Sequence, residues 1–291
     1  MPAGRVGAGI LVMLAGMLMF SLNDVLGKWL MTSYSAAQVM LVRSLSALVV
    51  LLPFLLAADP RQVLRIDRPW LQAARSALLA VEGIGFYFAV AYLPLADVVT
   101  YWLAAPVYVA ALSPVLLKER VGGSAWGAIL LGFVGVVVAL RPSPETLTPA
   151  ALIALAGSLA YALAMILGRK LRGTPDRVLV FWQIVGAALI SLPGVLFIPN
   201  QWTTPDATGL VSLATIGIVA MLAHMLVNRA FKFAPAATVM PFMYSLLIWA
   251  VLFGYIFFQD VPQPAMLAGA VLIVSAGLLL AAPKRQRGKT A

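Results

Sequence analysis

Apolar residues run along this chain in blocks of about 20, the length that crosses a bilayer core as helix, and the blocks are parted by short clusters of proline, glycine and charge. The pattern predicts ten helices, at 7–29, 36–57, 70–91, 95–117, 123–140, 149–170, 177–198, 208–231, 235–258 and 264–282. The breaks fall at Pro60 and Pro69, Pro94, Gly122-Gly123, Pro142 and Pro144, Gly173 and Pro175, Pro199 and Pro205, Pro235, and Pro262 and Pro264, residues that punctuate helices. The blocks are too long for strands and lack a two-residue alternation, and an open strand edge cannot face lipid. The first block ends in Asn23, Asp24 and Lys28 with no small-residue cleavage site, so it reads as a retained helix.

The basic residues divide by side. With a cytoplasmic N-terminus, the inner segments hold Arg5, Arg61, Arg65, Arg68, Lys118, Arg120, Arg169, Lys170, Arg172, Arg177, Arg229, Lys232, Lys284, Arg285, Arg287 and Lys289, while the outer segments hold Lys28 and Arg141. That bias favours both termini inside and an even number of spans. It also gives the net charge of +10 a topological meaning, so a nucleic-acid partner is not expected. Charged residues make up only 10% of the chain, against about 25% in soluble domains. No cysteine and one histidine, His224, leave no material for disulfides, thiolate chemistry or a histidine-cluster metal site.

The two halves are alike. The stretch from Ala91 through Tyr92-Leu93-Pro94-Leu95 to Arg141-Pro142 lays onto Ala230 through Phe231-Lys232-Phe233-Ala234 to Ala282-Pro283. Each carries a very short connection, a long helix, an acidic residue (Glu119, Asp260), and a last helix spaced by glycines, with Gly127 and Gly135 matching Gly269 and Gly277. Five helices per half, an odd number, place the repeats in opposite orientation, as in secondary transporters with a midplane site. The expected fold is therefore all-α integral membrane, ten transmembrane helices as two inverted five-helix repeats, at 1–142 and 143–291.

The run Glu82-Gly83-Ile84-Gly85-Phe86-Tyr87-Phe88-Ala89-Val90-Ala91-Tyr92-Leu93-Pro94-Leu95-Ala96-Asp97, then Ala105-Pro106, Leu117-Lys118-Glu119-Arg120-Val121 and Gly127 to Gly135, resembles the EamA-type members of the drug/metabolite transporter superfamily. The resemblance covers essentially the whole chain, and within the family it looks most like the YddG-type amino-acid exporters. It implies a cavity near Phe20, Val81, Ala105 and Tyr161. The second half departs from the pattern at Ser245, the counterpart of Pro106, and at Phe258-Gln259-Asp260 in place of a glutamate ending.

Charges inside a membrane cost about 2.5–3.5 kcal/mol on insertion scales and usually face a cavity or a partner. Glu82 lies midway along helix three, beside Gly83 and Gly85, and reads either as an ion-pair partner or as a cavity carboxylate. Asp24 and Lys28 are four apart and can pair on one face of helix one, with Phe20 and Ser21 beside them. Arg43 is expected to hold a carboxylate. Trp29, Trp70, Trp126 and Trp202 sit near helix ends as interface anchors. Tyr101 and Tyr108, seven apart with Ala105 between them, share a face of helix four; Tyr161 and Met165, and His224 and Asn228, are further one-turn pairs, and Tyr244 lies in helix nine. Each alone is packing; together, polar-tipped aromatics with few charges suit a neutral or zwitterionic, partly apolar solute. Helices five and ten, with Gly127, Gly132, Gly135, Gly269 and Gly277, read as peripheral packing helices.

No phosphate loop, metal-ligand spacing or catalytic triad is present, so neither a cofactor nor a metal is expected and the chain does not read as an enzyme. The expected function is a multi-pass secondary transporter of the bacterial inner membrane, exporting aromatic and other apolar amino acids by alternating access. Its partners are then the small-molecule solute and the lipid bilayer, with a monomer among the allowed assemblies. The alternative is uptake of a vitamin or nucleoside-like metabolite, since one fold serves many solutes.

Overall fold

A computed structural model describes residues 3–56, 68–118, 123–141, 148–171, 173–233 and 240–281. The described residues form eleven α-helices and one 3₁₀ turn, with no strand: α1 Ala3–Leu30, α2 Ala36–Leu56, α3 Pro69–Tyr92, α4 Leu95–Leu103, α5 Ala105–Leu116, α6 Gly123–Leu140, α7 Pro149–Lys170, α8 Asp176–Phe197, α9 Ala207–Phe233, the turn Met240–Tyr244, α10 Ser245–Phe258 and α11 Pro264–Ala281. Six of them, α1, α2, α3, α7, α8 and α9, are long and apolar enough to cross a membrane. Shorter apolar helices occupy 95–109, 126–139, 242–258 and 264–279. Arg61, Arg65, Glu119, Arg120, Arg172, Lys284, Arg285, Arg287 and Lys289, and the breaks at Pro60, Pro142, Pro144 and Pro235, lie outside the described residues.

Helix starts follow the local chemistry. Pro69 and Pro149 occupy first turns, where a missing N–H costs nothing, and the Thr148 side chain accepts the Ala151 N–H at 3.2 Å.

The single helix expected at 95–117 is two helices. A proline at 106 has no amide hydrogen to offer the carbonyl four residues back. The chain answers with a tighter turn: Ala104 donates to the Tyr101 carbonyl at 3.2 Å, and α5 restarts as Val107 donates to the Ala104 carbonyl at 2.9 Å. In the segment expected as one helix at 235–258, the described residues change helix type in the corresponding place. There a 3₁₀ turn ends at Tyr244 and α10 begins at Ser245, whose hydroxyl donates to the Phe242 carbonyl at 2.7 Å.

The most extensive packing joins α1 with α9, α6 with α11 and α3 with α7, followed by α2 with α8, α3 with α8 and α2 with α9. If α1, α2, α3, α4–α5 and α6 are laid in order on α7, α8, α9, α10 and α11, the pairs exchange. The pair α1 and α9 becomes α7 and α3; α2 and α9 becomes α8 and α3; α1 and α10 becomes α7 and α5; α2 with α8 and α6 with α11 map onto themselves.

Backbones meet at the α6–α11 seam. A Cβ on Gly135 would lie 2.9 Å from the Gly269 carbonyl oxygen, and one on Gly269 would lie 2.5 Å from that of Gly135. Gly132 packs on Val107 and Gly277 on Tyr244, whereas no described residue approaches Gly127. In α3, Gly83 lies against Met40 of α2 and Gly85 against Ile153 of α7. Van der Waals contact of this kind holds helices together where lipid removes the hydrophobic drive.

Candidate functional site

Six helices bring a polar and aromatic group together inside the bundle. From α1 come Phe20, Ser21, Asn23 and Asp24. Asp24 is 7% exposed and accepts a hydrogen bond from the Asn23 amide at 3.2 Å, while the Ser21 hydroxyl is fully buried without a partner. From α2 comes Arg43, which donates to the Tyr87 hydroxyl at 2.7 Å and lies over the Tyr87 ring at 5.6 Å. Gly27 makes this possible, because a side chain there would overlap the Tyr87 ring.

From α3 come Arg75, Glu82 and Tyr87. Glu82 accepts the indole N–H of Trp102 at 2.5 Å, and Phe86 stands edge-on to that indole at 5.2 Å. A Cβ on Gly157 of α7 would lie 2.7 Å from the same indole, so its absence seats the ring. Tyr161 of α7 lies in the electrostatic reach of both Glu82 and Arg75. From α9 comes His224, edge-on to Phe20 at 4.8 Å, with Nδ1 2.8 Å from the Ala220 carbonyl of its own helix.

The structure thus brings Phe20, Asp24, Glu82, Tyr161 and His224 into one neighbourhood: Asp24 senses Arg43 and Glu82, and His224 senses Arg43 and Arg75. Ser21 sits on the same turn of α1 as Asp24. Tyr101, Ala105 and Tyr108 are buried at the α4–α5 break, in the same core as Trp102. Tyr244 is buried at the other break, against Gly277. Val81, 56% exposed, and Met165 turn toward the outside of the bundle. The side chain of Asn228 lies outside the described residues.

Two expected pairings are replaced. Lys28 does not pair with Asp24; it forms an ion pair with Asp260, just past the end of α10. Lys28 also donates to the Leu93 carbonyl at 3.4 Å and lies over the Phe258 ring at 4.7 Å, while Asp260 accepts the Leu95 N–H at 3.2 Å. Gln259 takes a left-handed conformation, φ 57°, that turns the chain to put Asp260 there. Three elements are tied at that end of the bundle, and they offer Lys28 more partners than its own helix does. Arg43, expected to hold a carboxylate, holds the Tyr87 hydroxyl instead.

Sequence reasoning passed over Trp102, Tyr87 and Arg75 as members of the group. Only Arg75 left a signal: it stands seven residues before Glu82, on the same face of one helix. Among the described residues no group of His, Cys, Asp and Glu could hold a metal.

A bundle of apolar helices around a buried charged and aromatic group has the build of a membrane transporter, and relatives place the chain in that class. Residues 7–141 match the EamA-like transporter family and residues 148–282 match it a second time, so the chain belongs to that family, as its sequence implied. It is 26% identical over 261 residues to an S-adenosylmethionine uptake transporter of Rickettsia bellii, covering 89% of this chain and 88% of that one. It is 28% identical over 287 residues to a riboflavin transporter of Rhizobium johnstonii, covering 96% and 92%. A crystal structure with 19% identity superposes with a TM-score of 0.66 over 94% of this chain and 96% of the other, a likeness of fold.

Proposed function

We propose that this protein is an alternating-access secondary transporter of the bacterial inner membrane that takes up a nucleoside-like or vitamin-type metabolite. Its ten spans form two inverted repeats with both termini cytoplasmic, and the solute binds among Phe20, Ser21, Asp24, Glu82, Tyr101, Ala105, Tyr108, Tyr161 and His224.

One observation carries the mechanism: the segment 95–117 breaks at Ala104, and at the corresponding place of the second half the 3₁₀ turn Met240–Tyr244 passes into α10 at Ser245, both beside the aromatic core. Broken helices at a repeat interface are the usual seat of a transporter's solute, because the freed backbone groups line the cavity. The exchange of packing partners between the halves supports a two-fold axis through that interface. The choice of solute follows the relatives, whose names are S-adenosylmethionine and riboflavin transporters. Planar nitrogen heterocycles suit walls of Phe, Tyr and Trp.

The test is a proteoliposome assay with labelled S-adenosylmethionine, riboflavin and the common amino acids. Concentration-dependent uptake of either of the first two, absent from protein-free vesicles, is the expected result. Flux of aromatic amino acids alone would replace this solute class with amino-acid export. No flux of any of them would overturn the reading.

A further inference from the structure

Among the described residues, four charged side chains belong to this polar and aromatic group, and they are not paired with one another. Asp24, Glu82, Arg43 and Arg75 lie on α1, α3, α2 and α3, and no ion pair joins either carboxylate to either guanidinium. Buried charges in a membrane are normally matched, since an unmatched one carries its full desolvation cost. Three of the four have a well-made neutral partner: Asn23, Trp102 and Tyr87. Arg75 has the least. Its residue is 9% exposed, its Nε has no partner, and it makes one long hydrogen bond, 3.4 Å to the Leu179 carbonyl. One turn earlier Gln72, 2% exposed, leaves its Oε1 unpartnered.

Arg75 and Glu82 are seven residues apart on one face of α3, a rise of about 10 Å. Tyr161 and Gly168, seven apart on the facing side of α7, lie against them: Tyr161 senses both charges, and Gly168 leaves room for the Arg75 Nε, which would lie 3.3 Å from a Cβ there. A cation and a carboxylate are therefore held two turns apart on the face of α3 that packs on α7, with Tyr161 in the electrostatic reach of both.

We propose that Arg75 and Glu82 are specificity-determining residues that bind the anionic and cationic groups of a zwitterionic solute, with its ring system against Tyr161. The inference rests on the cavity proposed above and narrows its solute. It selects molecules that carry a carboxylate and a separate cationic centre, such as a sulfonium nucleoside with an amino-acid tail, over an uncharged flavin. The protein keeps the two charges apart because the solute supplies each with its partner. Planar, bidentate recognition of a carboxylate is what a guanidinium fork does best.

Two measurements on the full chain test this. In the first, wild type, Arg75→Gln and Glu82→Gln are melted without solute. Charges kept for a ligand leave the melting temperature unchanged or raise it when neutralised; a fall of several degrees in both variants would make them structural and overturn the proposal. In the second, uptake of S-adenosylmethionine is compared with that of the same molecule lacking its carboxylate. Arg75→Gln should lower uptake of the first about tenfold and leave the second unchanged, with partial recovery in Arg75→Lys, and Glu82→Gln should lower both. Equal loss on both solutes in Arg75→Gln would overturn the assignment. Riboflavin uptake by the wild type as fast as or faster than that of S-adenosylmethionine would overturn it while leaving the uptake reading intact. If the wild type carries none of these solutes, the uptake reading fails by itself and the melting measurement decides the role of the charges.

Discussion

Glycine 157 shows how a single missing methyl positions a functional group. The indole of Trp102 occupies the space a Cβ would take and presents its N–H to Glu82. Gly157→Ala should therefore act through Trp102, costing about 1–3 kcal/mol as an overpacked contact that also frees the carboxylate. Trp102→Phe removes the donor and leaves a smaller ring, so the two changes should be strongly non-additive. Melting temperatures of the two single variants and the double one measure this. Strict additivity would show that the alanine is absorbed elsewhere and that the indole is not what Gly157 serves.

Between elements, the Lys28–Asp260 ion pair ties one end of the bundle across the two halves of the chain. It joins the end of α1 to the end of α10 and, through Leu93 and Leu95, to the turn between α3 and α4. Those elements belong to different halves of the chain, so separating the halves at this end requires breaking it. Asp97, whose Oδ1 has no hydrogen-bond partner, lies in the electrostatic reach of both members. Asp260→Asn should increase opening at this end. Because the protein has no cysteine, Val90→Cys, which lines the small pocket beside Lys28 and Phe258, reports that opening through its rate of reaction with a membrane-impermeant maleimide. The rate should rise several-fold when Asp260→Asn is added. No change would mean that packing, not the ion pair, keeps this end shut.

For the molecule as a whole, the division of basic residues predicts that 142–148 and the C-terminus face opposite sides. Topology reporters fused after Ala291 and inserted within 142–148 check it: activity of the cytoplasmic reporter at Ala291 and of the periplasmic reporter at 142–148 is expected. A periplasmic C-terminus would leave an odd number of spans and remove the inverted repeat. The expected result would place the Lys28–Asp260 end on the outside and the Arg75 end toward the cytoplasm.

The linear sequence determined the elements. Long apolar blocks cannot satisfy their backbone in lipid except as helices, and the clusters of proline and glycine between them mark most of the breaks, although Pro53, Pro114 and Pro193 lie inside helices, so the spans are largely local properties. It determined the family, through the run from Glu82 to Asp97 and the two matching halves, and it placed Glu82 and Asp24 among the residues of interest. Even the interruption at Ala104 is written in the proline two residues on, within a block whose apolar length alone predicts one helix. Partners were another matter. A spacing of four made Asp24 the natural mate of Lys28, but Asp260, 232 residues away, occupies that position once α10 turns at Gln259. Arg43 met a tyrosine rather than a carboxylate, and Glu82 met an indole admitted by a glycine on a third helix. A hydrogen bond or ion pair is decided over a few ångströms between atoms of different helices, so it depends on how the helices pack; the sequence can show that a buried charge needs a partner, and only the tertiary structure shows which one it has.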